Sequence, residues 1–153
     1  MLATCRELGI GFVAFSPVAR GLLAGAIVEP EYVAGDIRAA MPRFIEPAFS
    51  RNRPLVEEFK RIAAEAGCTP GQLALAWVLA KGDEIVPIPG TRSIAHLEEN
   101  LAAATLSIDA GLFAEVDAIF PPGAVSGPRY AAAMQAQIDT ETFPDEELAT
   151  ANG

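Results

Sequence analysis

The stretch EIVPIPGTRSIAHLEEN, Glu84–Asn100, decides how this chain is read. A short apolar run, Ile85-Val86-Pro87-Ile88-Pro89, ends at Gly90, and a polar turn, Thr91-Arg92-Ser93, follows. A segment of helical period then opens at Ile94, with Ile94, Leu97, Leu101 and Ala104 expected to point inward. A strand that passes through Gly and Thr into a helix start is a ready anion site. The first helical N–H groups have no partner inside the helix, and the helix dipole adds partial positive charge there. Arg92 and the single histidine, His96, stand beside that start. On the residues alone two readings stay open: a phosphate cradle, or an ordinary strand-to-helix turn with solvated charges.

A second apolar run without alternation, Ile10–Phe15, lies upstream. Runs of this kind suit strands buried on both faces, as in parallel sheets. A short helix over residues 2–8, stopped by Gly9, precedes it. GIGFVA (9–14) matches G-x-G-x-x-A, but the dinucleotide fingerprint needs the strand before the glycines and the helix after them, and the order here is reversed. Gly9 and Gly11 are therefore read as helix stop and turn. Ser16–Gly25 is a turn rich in small residues, in which Arg20 is read as a surface charge. Residues 26–50, with Pro30, Gly35, Pro42 and Pro47, read as a long surface loop.

Two helices are expected before the second strand. The first opens at Asn52-Arg53-Pro54, with Pro in its first turn, and carries the stripe Leu55, Phe59, Ile62, Ala63 and Ala66 up to Gly67. Thr69-Pro70 caps the second, Gly71–Lys81, which is apolar nearly all round; Trp77 is read as core. After the helix at 94–104, Asp109 is expected to cap Ala110–Phe120, with Leu112, Val116 and Ile119 inward. Pro121-Pro122-Gly123 stops it, and a loop ending in Arg129-Tyr130 leads to a short helix, Ala131–Ile138. Strands alternating with helices predict an α/β fold with a parallel sheet. Two strands cannot bury a sheet on both faces, so the chain reads as the end of something larger.

Composition narrows the function. The 153 residues are enough for one core, 51% of them are hydrophobic, and the net charge is −9. More than half of that charge sits at Asp139, Glu141, Asp145, Glu146 and Glu147, in a tail (139–153) without Lys or Arg that is expected to be disordered. An acidic chain without a basic run is a poor ligand for nucleic acid or an anionic membrane, although local groups could still hold one phosphate. Cys5 and Cys68, far apart, make neither a disulfide framework nor a zinc site, and are read as inert reduced thiols of a cytoplasmic protein. No apolar run is long enough for a membrane span, and the N-terminus reads as a helix end rather than a signal peptide.

AFSPVARGLLAG (14–25), LAWVLAKG (75–82), IVPIPGTRSIAHLEEN (85–100) and GPRY (127–130) occur in this order, and together resemble the C-terminal part of the aldo-keto reductases. The resemblance runs through roughly residues 5–137. It implies an incomplete (β/α)8 TIM barrel over residues 1–138, whose two strands correspond to the seventh and eighth. Whole barrels of this kind take about 250 residues. It also implies an NADP (NADPH) site on the loops after these two strands, on the barrel face where phosphate sites concentrate. By resemblance, Phe15 stacks on the nicotinamide. Ser16, Pro17 and Val18 lie under the pyrophosphate, and Gly21 and Leu22 continue that segment. Ala19 stands where the family often has Gly. Gly90, Thr91 and Arg92 surround the adenosine 2′-phosphate, and Glu99 and Asn100 meet adenine. His96 stands where the family often has Arg, and a neutral imidazole supplies less charge to that phosphate.

The family's proton-donating Tyr, with its Lys, Asp and His, belongs to earlier strands that none of these segments covers. Tyr32 and Tyr130 fall in loops and are given no catalytic role. The resemblance thus implies the cofactor-holding portion of an NADP-dependent reductase of aldehydes or ketones, inactive by itself, with a carbonyl substrate only in a complete barrel. The alternative is a non-catalytic nucleotide-binding or partner-dependent module that self-associates through open barrel edges.

Overall fold

A computed structural model describes residues 1–137; the acidic tail expected at 139–153 and Ile138 lie outside the described residues. Helix α1 (Leu2–Leu8) ends at Gly9, whose φ of 64° is the left-handed conformation that closes a helix. Strand β1 (Phe12–Phe15) starts two residues later than the apolar run predicts. The N–H of Ile10 is spent on the Cys5 carbonyl (2.8 Å), which completes the helix end instead of a ladder. β1 pairs in parallel with β2 (Ile85–Ile88), Phe12 opposite Ile85 and Phe15 opposite Ile88.

The crossover between them contains α2 (Ala48–Glu65) and α3 (Pro70–Leu79). α2 begins four residues before Asn52, so Pro54 sits inside the helix rather than in its first turn. Pro54 has no N–H for the carbonyl of Ser50, but Ser50 is exposed and water can serve that carbonyl. Burial of Ala48, Phe49, Asn52 and Val56 on one face holds the turns on either side of the proline. α3 starts as expected. The Thr69 hydroxyl accepts the Gln72 N–H (3.2 Å), and the Gln72 side chain accepts the Thr69 N–H (3.1 Å), a reciprocal capping box.

Phe59, Ile62 and Ala63 of α2, Leu73 and Ala74 of α3, and Val116 of α5 (Ala110–Ile119) form the core, with the Phe120 ring 5.9 Å from that of Phe59. Asp109 caps α5 by accepting the Gly111 N–H at 2.7 Å. Trp77, expected in the core, lies at its margin. Its indole N–H donates to Asp117 (2.9 Å), and the Lys81 ammonium lies 4.3 Å from its ring centroid. Residues 26–50 are more than a surface loop. Short 3₁₀ turns at Ile37–Ala40 and Pro42–Phe44 fold Met41 and Phe44 inward, and Asp36 opens the first by accepting the Arg38 N–H.

The largest departure from expectation concerns faces. The strands are covered on one side only: Val13, Phe15, Val86 and Ile88 are 51–58% exposed on the other. The stripe Ile94, Leu97 and Leu101 of α4 (Ile94–Ala102), expected inward, is also exposed. α4 docks on α3 instead through Glu99, which takes the Thr69 hydroxyl on its carboxylate and the Gln72 amide on its carbonyl (3.2 Å), and through the 3₁₀ turn that follows, where Ala103 is buried. The described chain ends in α6 (Ala132–Gln135).

Thr69 therefore caps one helix and clips a second. Thr69→Ala is expected to destabilise the chain by about 1–2 kcal/mol, read as a lower urea midpoint with an unchanged m-value.

Candidate functional site

Parallel pairing in register puts the C-terminal ends of β1 and β2 on one edge, so the loops leaving Phe15 and Ile88 start as neighbours. The first loop is strained. Ser16 (φ 53°), Ala19 (φ 49°) and Arg20 (φ 55°) all occupy the left-handed region, and Gly21 (φ 92°) follows. Side chains other than Gly enter this region at a cost of roughly 1–2 kcal/mol each, and such outliers concentrate where ligands are held. The turn is tied internally: the Ser16 carbonyl accepts the Ala19 N–H (2.9 Å), and the Val18 carbonyl accepts the Gly21 N–H (3.0 Å). The φ of Ala19 explains why Gly suits that position.

Phe15, Ser16, Pro17 and Leu22 line a cavity of about 460 Å³ between β1 and the helices, while Val18 packs against the core. Arg20, expected on the surface, also lines it. Its Nη1 donates to the Met41 sulfur (3.0 Å), and its guanidinium stands 5.3 Å from the Tyr130 ring centroid. Arg38 reaches the same loop, donating to the Arg20 carbonyl (3.4 Å). Its bidentate pair with Asp36 holds that carboxyl below the usual carboxylate range, through direct hydrogen bonds first.

The second loop is exposed. Thr91 spends its hydroxyl on the Ser93 N–H (3.1 Å) and carbonyl (3.3 Å), a local turn that presents Ser93 as the cap of α4. Ser93 in turn accepts the His96 N–H at 3.4 Å. Gly90, Arg92 and His96 are open to solvent beside the two uncapped N–H groups of the helix start. Glu99 and Asn100 are half-buried one turn further on, where the Glu99 carboxylate is engaged by Thr69. The twelve expected residues thus fall into two groups at one sheet edge, the first beside the cavity and the second on the surface.

The profile of the Aldo/keto reductase family matches residues 1–120. The chain belongs to the aldo-keto reductase family. Two relatives are each 37% identical over 145 residues: aldo-keto reductase yakc of Schizosaccharomyces pombe, whose name specifies NADP(+), and aldo-keto reductase str7 of Strobilurus tenacellus. The chain spans 43% of the length of each, while the match takes in 94% of the chain. Among solved structures, the glycerol dehydrogenase AKR11B4 of Gluconobacter oxydans superposes with a TM-score of 0.70 at 23% identity, over 78% of this chain and 36% of that one. A thermostable aldo-keto reductase reaches 0.50 at 27% identity, over 78% and 33%. The fold is a partial (β/α)8 barrel.

In this aldo-keto reductase chain the loop tyrosines are held in place. Tyr32 donates to the Phe44 carbonyl (2.9 Å), and its hydroxyl titrates above the usual range because burial disfavours the phenolate; Tyr130 lies under Arg20. Burial also pushes the Cys68 thiol up, in keeping with its reading as inert. Asn52 had no warning in the sequence. It is 2% exposed, and its amide group donates to the Ser126 carbonyl (3.0 Å) and accepts the Ser126 N–H (2.7 Å). Arg43 adds a bond to the Gly127 carbonyl (2.9 Å). These contacts pin the loop before Arg129-Tyr130 across the start of α2. Among the described residues, no cluster of His, Cys, Asp or Glu could hold a metal ion, and no helix is long and apolar enough to cross a membrane.

Ala19→Gly relieves one left-handed position. The variant is expected to gain about 0.5–1 kcal/mol, read as a raised urea midpoint, after the extra unfolded-state entropy of Gly is offset.

Proposed function

We propose that this chain is the cofactor-holding portion of an NADP-dependent oxidoreductase that reduces aldehydes or ketones, and that it has no reductase activity alone. The observation that carries this reading is the pair of loops leaving adjacent parallel strands, one of them with three non-glycine residues at positive φ. The strained 16–22 turn suits close backbone approach to a pyrophosphate. Gly90, Thr91 and Arg92, at the start of α4, supply a guanidinium and unpaired N–H groups to a 2′-phosphate. Phe15 offers an exposed ring at the strand end, against which a nicotinamide could lie. When bound, the dinucleotide would supply hydride chemistry; the residues described here hold and orient it. Two free thiols fit a reducing, cytoplasmic setting.

NADPH titration followed by Trp77 fluorescence tests the reading. Saturable quenching is expected, with affinity about tenfold weaker in Arg92→Ala, and a smaller change for NADH, which lacks the 2′-phosphate. No saturable response at millimolar NADPH would remove the cofactor assignment. In an NADPH-consumption assay against several aldehydes the chain should stay at background, and clear turnover would contradict the inactivity.

A second reading, a partner-dependent module that self-associates, is favoured by the uncovered face of Val13, Phe15, Val86 and Ile88 and the unpaired outer edges of both strands. Sedimentation is expected to show dimers or larger species that Val86→Asp shifts toward monomer. A compact parent monomer across the concentration range would refute it.

A further inference from the structure

We propose that the cavity between β1 and helices α2, α3 and α5 is a binding site for a small apolar carboxylate, such as a medium-chain aliphatic acid. Its walls are aromatic and aliphatic, with Phe12, Phe59, Trp77, Val116 and Phe120 among them. Its volume, about 460 Å³, lies in the range of ligand pockets rather than packing voids. The charges on its lining have one sign: Arg20, Arg43 and Arg129 line it, and no Asp or Glu does, in a chain with 20 acidic residues against 11 basic ones.

Arg20 is held there by neutral groups. The Met41 sulfur and the Tyr130 ring fix the position of its guanidinium without cancelling its charge. Among the described residues neither Arg20 nor Arg129 makes an ion pair. The polar Asn52 in the wall is used up by Ser126, so it neither selects nor rejects a ligand. What remains is an apolar body site with guanidinium forks at its lining, the arrangement that matches a carboxylate head on an apolar tail. The site adjoins the dinucleotide reading, since Phe15, Ser16, Pro17 and Leu22 also line it, but its deeper walls are the core helices.

Trp77 is the only tryptophan and lines the cavity, so its emission reports on occupancy. The full 153-residue chain would be titrated, without nucleotide, with octanoate, 1-octanol and octylammonium. Octanoate is expected to give a saturable change, 1-octanol to bind at least about tenfold more weakly, and octylammonium to give none. Arg20→Ala and Arg129→Ala, each checked for native circular dichroism, should weaken octanoate about tenfold and leave 1-octanol unchanged. Absence of a saturable octanoate response overturns the proposal. So does equal binding of octanoate and 1-octanol, or parent-like octanoate affinity in both folded variants. Because no nucleotide is present, the result is independent of the outcome with NADPH.

Discussion

The parallel ladder between Phe12–Phe15 and Ile85–Ile88 is the constraint on which the rest of the structure depends. Parallel strands cannot be joined by a tight turn; the chain must leave one end and return to the other. That return is made by α2 and α3, and their packing with α5 around Phe59, Ile62, Leu73 and Val116 builds the core. Once both strands run the same way, their C-terminal ends share an edge. The strained 16–22 turn and the start of α4 are then neighbours although far apart in the chain. The capping box at Thr69 and the contact from its hydroxyl to Glu99 tie α3 to α4, so the second loop is positioned from below as well as from the strand.

Two strands with helices on one side leave an apolar face. Val13, Phe15, Val86 and Ile88 alternate with residues turned toward the helices, and their face is the one a closed barrel fills with side chains from other strands. The exposed stripe on α4 has the same origin, because a helix of a barrel packs against neighbours on both sides. A partial barrel leaves residues of strongly apolar type in solvent, while a smaller core around α2, α3 and α5 is well packed.

Charge is distributed against the chain's average. On the helix surfaces acidic side chains form pairs such as Arg61 with Glu58, Glu65 and Glu115, which are exposed and contribute little each. Around the β1 end the balance reverses: Arg20, Arg38, Arg43 and Arg129 gather near one loop and one cavity, and Asp36 pairs with Arg38 alone. A sequence of net charge −9 thus carries a local cationic site made by folding. No run of basic residues announces it, because the four arginines come from three separate loops.

Much of the fold was legible in the residues. Gly9 as a stop, Thr69-Pro70 and Asp109 as helix starts, the start of β2 at Ile85, and the ordered segments that resemble aldo-keto reductases all act through signals confined to a few neighbouring positions. Caps, left-handed glycines and apolar period are local physics, and the tertiary structure left them unchanged. The candidate site residues after each strand were named from the resemblance, and the parallel ladder brings the two sets to one edge. What the tertiary structure alone decided was which faces are covered. The inward stripe predicted for α4 is exposed, α2 starts before its proline, Trp77 sits at the edge of the core, and Asn52 clasps Ser126, 74 residues away. Each of these turns on what packs against a surface, and a pattern of apolar and polar residues states only that a face is able to be buried, not what arrives to bury it.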